Sequence, residues 1–336
     1  MTPSRIVFSL SAFLALFVTT TPLSAQDSVR IKIMCYNTAH GAGGTDGILN
    51  IGRIAGIINA YAPDLCGLQE IDSVCSRSNN VNQPSEYARL TSMNGVFGRA
   101  IWLGTGGYGN MVLTKRPFSN VRKFPLPGSE ARQATFTDVD FTTSSGATVK
   151  MTFIVTHFMV SDAASQLRSA QIIDSLATAV IPANQPAIFC GDLNAQRGSA
   201  TLTELANTWT YGTFNFGIDW IMFRPAARWK LISVEKQTTG DAGIASDHVP
   251  VVMELTLLGT GTGITTSNSS FLNISENQKN LFSISQGTIK LPSSCKPYDI
   301  VKVYDLKGKQ IAEDRVEAID KINRRLSNKV YIWTIK

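Results

Sequence analysis

Eight polar residues stand at or beside the ends of apolar runs, and their types suit a hard cation and the handling of a proton. Asn37 closes Cys35-Tyr36-Asn37, Glu70 closes Gly67-Leu68-Gln69-Glu70, and His157 closes Val155-Thr156-His157. Asp192 and Asn194 lie in Cys190-Gly191-Asp192-Leu193-Asn194, and Asp247 and His248 in Ser246-Asp247-His248. Asp219 places an acid inside the apolar run Ile218-Asp219-Trp220. Carboxylates and carboxamides without thiolates suit Mg2+, with Mn2+ or Ca2+ as alternatives. A phosphoric ester attacked by water needs a ligand set for such a cation, a group to align the water, and donors for the charge that develops on oxygen. These residues supply all three. No GxSxG nucleophile elbow is present, and no CxxC pair or Cys/His cluster suggests zinc. Taken singly, each residue has a structural reading. Glu70 could be a solvated strand end, Asp192 and Asn194 could cap the helix that follows, and His157 could be a satisfied core histidine.

The elements that must position these groups follow from periodicity. Strands are expected at Val29–Tyr36, Leu65–Ile71, Met111–Thr114, Ala134–Phe141, Val149–His157, Pro186–Gly191, Ile218–Phe223 and Val249–Leu258. Helical spacing marks Ile48–Ala60 and Ala163–Ala179, and Pro84 opens a short helix reaching Met93. Strands interleaved with helices, but also running as consecutive hairpins, point to an α/β sandwich of two sheets. Polar Ser73–Gln83, with Arg77, and Gly-rich Leu103–Tyr108, beside Trp102, are expected to rim the cleft. There Arg77 and Tyr108 could meet a head group or sugar, or merely decorate the surface.

Length and composition divide the chain. Arg5, the apolar run Ile6–Val18 and Leu23-Ser24-Ala25 form a signal-peptide layout over residues 1–25, too short in its apolar part to span a bilayer comfortably. Export to the medium or cell surface is expected, with the periplasm as alternative. No later stretch reads as a membrane span. Residues 26–258 carry 18 basic and 18 acidic side chains, so the +6 charge of the chain belongs to the tail and the leader. A protein that grips long nucleic acid usually carries a basic face, so this neutrality lowers that expectation. Residues 259–270 form a Gly/Thr/Ser/Asn linker, and residues 271–336 read as a small all-β module. The five cysteines cannot all pair within the chain, and Cys35, Cys66 and Cys190 read as buried thiols.

The Leu-Gln-Glu, Gly-Asp-Leu-Asn and Ser-Asp-His triplets, in this order, resemble the endonuclease/exonuclease/phosphatase superfamily over about residues 29–258. The resemblance implies a four-layer α/β/β/α sandwich of two mixed sheets and a metal-dependent phosphoric ester hydrolase. It implies Glu70 as the main metal carboxylate, with Asn37 and Asp247 as its partners. By the same resemblance Asp192 orients or deprotonates the water, Asn194 and His157 donate to the phosphoryl oxygens, and Asp219 holds the tautomer of the terminal histidine, His248. Arg132, in Glu130-Ala131-Arg132, is similar to a position that reaches the substrate phosphate, and a solvated strand-edge arginine is the equal alternative. Gly109-Asn110 resembles the family's Gly-Asn turn, with Asn110 mainly structural but near the site. Trp220 stands where the family often has Tyr, and residues 205–217 are short of the substrate loops expected of specialised nucleases. A small phosphorylated compound or lipid head group is therefore slightly favoured as substrate. A secreted nuclease is the runner-up, and a surface binding module that has lost catalysis is an alternative of another class. Ile300–Lys309 and Val330-Tyr331-Ile332-Trp333 resemble the C-terminal sorting module of the Bacteroidetes type IX pathway, which implies secretion machinery as a partner.

Overall fold

A computed structural model of the protein describes residues 27–42, 44, 46–211, 217–259, 281–286, 296–297, 299–304, 310–324 and 330–335. The expected leader and all of the linker beyond Gly259 lie outside the described residues. In chain order the main body contains β1 (Ser28–Asn37), α1 (Ile51–Tyr61), β2 (Leu65–Ser73), α2 (Gln83–Thr91), β3 (Asn94–Leu103), β4 (Gly106–Thr114), β5 (Phe118–Leu126) and β6 (Arg132–Thr142). It continues with β7 (Thr148–His157), α3 (Ala163–Val180), β8 (Ala187–Asp192), α4 (Ala200–Leu205), β9 (Thr210–Tyr211), β10 (Asp219–Arg224), β11 (Trp229–Lys236) and β12 (Val251–Leu258).

Two six-stranded sheets result, ordered β11-β12-β1-β2-β4-β3 and β5-β6-β7-β8-β10-β9. Alternation along the strands assembles them into layers, because successive side chains point to opposite faces. Ile31, Ile33 and Cys35 of β1 join Val155, Ile188, Cys190, Ile221 and Val251 in a core between the sheets. The intervening Met34 and Tyr36 pack with Ile54, Ile57 and Ile58 of α1 on one outer face. Phe189 and Met222 pack with Ile173 and Leu176 of α3 on the other. The architecture is the four-layer α/β/β/α sandwich expected. The outer helices have local reasons to start where they do. The side chains of Asn50 and Asp162 accept hydrogen bonds from Arg53 N and Ser165 N at the first turns of α1 and α3.

Four strands of the main body, β3, β5, β9 and β11, escaped the sequence reading. β3, β5 and β11 lie at or next to sheet edges, where half-solvated residues such as Arg122, Lys123, Lys230 and Lys236 blur the alternation. β4 is longer than expected, so Tyr108 lies within a strand and not in a loop. At the C-terminus, β13 (Leu281–Gln286), β14 (Ile300–Tyr304), β15 (Gln310–Arg315) and β16 (Val330–Ile335) form a separate antiparallel sheet, ordered β13-β16-β14-β15. Residues 271–280, 287–295 and 305–309 of the expected all-β module lie outside the described residues. Among the described residues no helix is long and apolar enough to cross a membrane.

The two sheets approach closely at Gly67. A Cβ there would collide with Cys190 Sγ and press on the Val155 side chain. Gly67→Ala should therefore destabilise the fold by about 1–3 kcal/mol, the usual cost of overpacking a filled core. Urea unfolding of the variant beside the parent checks this.

Candidate active site

The parallel pairs β1/β2 and β7/β8 point their C-terminal ends to one edge of the sandwich, and this gathers the polar strand ends. Asn37 continues the face of Ile33 and Cys35, His157 that of Phe153 and Val155, and Asp192 that of Ile188 and Cys190. Asp219 begins β10 directly opposite Asp192 in an antiparallel pair and shares the face of Ile221 and Phe223. The site is thus the polar end of the same layer whose interior is the apolar core between the sheets. Ser246 ties in the segment before β12 by donating its hydroxyl to Asn37 O at 2.7 Å.

Glu70 enters by a β-bulge. Leu68 pairs with Met111 and Ile71 with Gly109, so Gln69 and Glu70 together oppose Asn110. The extra residue and a left-handed φ of 58° turn Glu70 toward the site. Gly109 is required on the partner strand, because a Cβ there would strike the carbonyl of Gly98.

Asp192, 2% exposed, is the hub. Its Oδ2 accepts from Asn37 Nδ2 at 3.0 Å and lies 3.6 Å from both His157 Nε2 and His248 Nε2. Its Oδ1 accepts from Asn194 N at 2.9 Å. Asn37 Nδ2 also donates to Glu70 Oε1 at 3.1 Å, while Asn37 Oδ1 accepts from Ala39 N at 3.0 Å. The Asn37 amide group therefore bridges two carboxylates. Asn194, with φ 48°, donates from Nδ2 toward His157 Nε2 and Phe158 O, both at 3.1 Å. His248 Nδ1 meets Asp219 Oδ2 at 2.9 Å, and Asp219 Oδ1 is buried without a hydrogen-bond partner among the described residues. Asp247 is exposed beside this pair and takes a hydrogen bond from Ser246 at 3.3 Å.

Burial and the charge of Asp219 push the Asp192 carboxyl up to about 7. Burial would lower His248, but the hydrogen bond and charge of Asp219, with Asp192 and Asp247, carry it up to about 9. Burial, with the Arg132 charge, pushes His157 down to about 3, so its imidazole is neutral near pH 7 and Nε2 can accept from Asn194. Burial would raise Glu70, but His40, His157 and Asn37 hold it at about 2. A basic carboxylate, a cationic imidazole and an ionised carboxylate therefore share one mouth.

Arg132 is 5% exposed. One guanidinium nitrogen pairs with Glu130 at 2.8 Å, while Nε is buried and unpartnered among the described residues. It is not the solvated strand-edge arginine of the alternative reading. Tyr108 is buried, and the charges of Glu70 and Arg132 both bear on its hydroxyl, which burial pushes up. Arg77 is not a free surface side chain: it makes two 2.8 Å hydrogen bonds to buried Asp72 and lies over the Tyr108 ring at 5.1 Å. Asn110 donates to Gln133 O at 3.1 Å and stitches the two sheets together. The capping alternative for Asp192 and Asn194 does not hold, because Ser199 accepts from Leu202 N at the start of α4. Sequence reasoning missed Glu130, Asp72, Ser246 and His40. His40 Nδ1 lies 3.8 Å from Glu70 Oε2. Its place just past the end of β1, as one of three histidines in the chain, was the available signal.

The residues present fit a divalent cation. Glu70 is ionised with Asn37 at its Oε1, and Asp219 has an unpartnered buried oxygen; the Asp192, Asp219 and His248 ligand atoms, within 4.8 Å of one another, would serve a cation only where His248 has given up its proton.

Comparison with known proteins agrees with this architecture. No curated protein matches the chain. An endonuclease/exonuclease/phosphatase protein from Beutenbergia cavernae DSM 12333 is similar in structure, at 18% identity and a TM-score of 0.55, covering 91% of this chain and 92% of that one. The human Nocturnin catalytic domain is similar at 19% identity and a TM-score of 0.54, over 68% of this chain and 97% of that one. A mannosyl-6-phosphatase of Bacteroides thetaiotaomicron VPI-5482 is similar at 16% identity and a TM-score of 0.51, over 67% and 99%. These likenesses show the fold. The model of the Endonuclease/Exonuclease/phosphatase family matches residues 34–248, more than half of the chain and every one of the strand-end groups above. The chain belongs to the endonuclease/exonuclease/phosphatase family.

Proposed function

We propose that the protein is a secreted, divalent-cation-dependent phosphoesterase acting on a small phosphorylated compound or a lipid head group. The observation that carries this is the hub at Asp192, one buried carboxylate hydrogen-bonded by Asn37 and lying 3.6 Å from both His157 and the His248 of the His248–Asp219 pair. A carboxyl raised to about 7 is basic enough to take a proton from an attacking water near neutral pH. His248, protonated up to about 9, sets a positive charge beside it where negative charge develops. Arg132 Nε supplies a donor for the phosphoryl oxygens, and Asn194 supplies a second where a substrate oxygen replaces His157 Nε2 or Phe158 O as partner of its amide. Glu70, with Asn37 and Asp247, would hold the cation, of which Mg2+ is the first choice and Mn2+ or Ca2+ the alternatives. When bound, the cation would supply Lewis-acid charge to a phosphoryl oxygen.

The substrate preference rests on charge. Residues 26–258 balance 18 basic against 18 acidic side chains, which lowers the expectation of a general electrostatic grip on long nucleic acid. The leader and the tail resembling a sorting module support export. The intact set of polar groups weighs against a binding module that has lost catalysis. The test is a panel of inositol phosphates, sphingomyelin and plasmid DNA with Mg2+, Mn2+ and Ca2+ compared. Turnover of a small phosphoester or head group should fall about 10³-fold in EDTA and return with added cation. Activity that survives EDTA removes the cation mechanism. DNA nicking with a steep salt dependence and no other turnover makes the protein a nuclease instead. Recovery of the protein from culture medium with its N-terminus at Gln26 checks export.

A further inference from the structure

His40 is not among the residues assigned above, yet it lies on the Glu70 side of the site in a backbone that other groups hold under strain. Ala39 and His40 are consecutive left-handed residues, with φ 45° and 47°, and Gly41 follows at 80°. Non-glycine residues adopt this conformation at a cost, and they persist in it only where the surroundings enforce it. Here the enforcement is visible. Thr38 N donates to Gln69 O at 3.1 Å, Ala39 N to Asn37 Oδ1 at 3.0 Å, and Gly41 N to Thr38 O at 2.7 Å. The fully buried Gln83 donates from Nε2 to His40 O at 2.6 Å and accepts from Asp72 N at 3.0 Å.

The strained turn delivers one thing to the site. His40 Nδ1 is buried, has no hydrogen-bond partner among the described residues, and stands 3.8 Å from Glu70 Oε2. The other oxygen, Oε1, already accepts from Asn37 at 3.1 Å. At 3.8 Å this contact is longer than a hydrogen bond, and contacts of this kind in active sites often tighten only in the liganded complex.

We propose that His40 is a positioning residue that clamps the second oxygen of Glu70, so that Asn37 and His40 together fix the plane in which this carboxylate meets a divalent cation. The inference rests on the cation reading above. Partners that orient a metal ligand are worth about 10- to 100-fold in metal affinity.

The experiment measures Mn2+ binding directly, from the electron paramagnetic resonance of free Mn2+, on the full chain. His40→Gly deletes the imidazole but suits the left-handed backbone, so its effect cannot come from added strain. His40→Asn also tolerates that backbone and restores an N–H donor. Glu70→Gln is the control for the site itself. We expect His40→Gly to weaken Mn2+ by about tenfold or more and His40→Asn to recover much of the loss. Raising Mn2+ should restore most of the lost turnover of His40→Gly, with KM for the phosphoester unmoved. If His40→Gly binds Mn2+ as tightly as the parent while Glu70→Gln does not, the clamp is wrong and the cation site stands. If Glu70→Gln also binds as the parent does, the cation is not at Glu70 and both readings fall. Turnover lost at saturating Mn2+ with affinity intact would place His40 at the reacting groups and overturn the clamp.

Discussion

Asp192→Asn should lower kcat/KM by about 10³-fold while leaving the protein folded. The size follows from the place of Asp192: a positioned proton acceptor contributes about 10²- to 10⁴-fold, and Asp192 Oδ2 is also where Asn37, His157 and His248 converge. Asn keeps the shape and one carbonyl oxygen but cannot take the proton. The same change has an opposite effect on stability. The folded-state pKa of Asp192, about 7, lies above its ordinary value of 3.8, because burial and Asp219 disfavour the charge. Between those values the folded chain holds a proton that the unfolded chain has released. The stability that this carboxyl contributes is therefore complete below about pH 4 and is lost as pH rises through about 7. In EDTA, the thermal midpoint of Asp192→Asn should exceed that of the parent at pH 8, and the gap should shrink toward pH 4. A variant that keeps its activity, or loses stability across this range, would remove Asp192 from the centre of the site.

The second large effect is expected at Asp219. Its carboxylate is the main cause that raises His248 to about 9, against burial, which acts to lower it. The parent should therefore hold its activity through neutral pH and lose it as pH rises through about 9, where His248 gives up its proton. Asp219→Asn removes the charge but leaves the burial, so the alkaline limb of the kcat profile should move down toward the ordinary histidine value of 6.5. At pH 8 the loss should be about 30-fold, because a group titrating at 6.5 is only about 3% protonated there. His248→Gln should abolish the limb. An Asp219→Asn enzyme whose limb stays near 9 would show that another group titrates there.

The legibility of this site in the sequence has a physical basis. Asn37, His157, Asp192 and Asp219 are visible because strand alternation is local: each continues an apolar face by one step and ends it with a polar group. The two-sheet α/β sandwich follows from strands that interleave with helices and also run as hairpins, while its four layers were implied by the family resemblance. What depends on partners distant in the chain was not visible. Arg77 reads as surface decoration until Asp72 and Tyr108 are seen to hold it. Arg132 could be a solvated strand-edge arginine until it is found buried against Glu130. Asp192 and Asn194 resemble helix caps by type, but a left-handed turn at Asn194 carries the chain on to Ser199 before α4 begins. The bulge that aims Glu70 is a matter of register against β4, and two residues opposing one leave no composition signal. The edge strands β5 and β11 were missed for a related reason, since solvent on one side erases the pattern that marks their neighbours.

The meeting of two leaves at one mouth has a consequence for how this protein can change. Glu70 and Asn37 ride on one leaf and Asp192, His157 and Asp219 on the other, with the glycine at position 67 letting them touch. Neither leaf owns a functional half. Divergence in the greasy filling between them is felt at the cleft as misalignment, even where no polar group is altered. Room for novelty lies instead in the rim segments, which can be remodelled without prising the leaves apart.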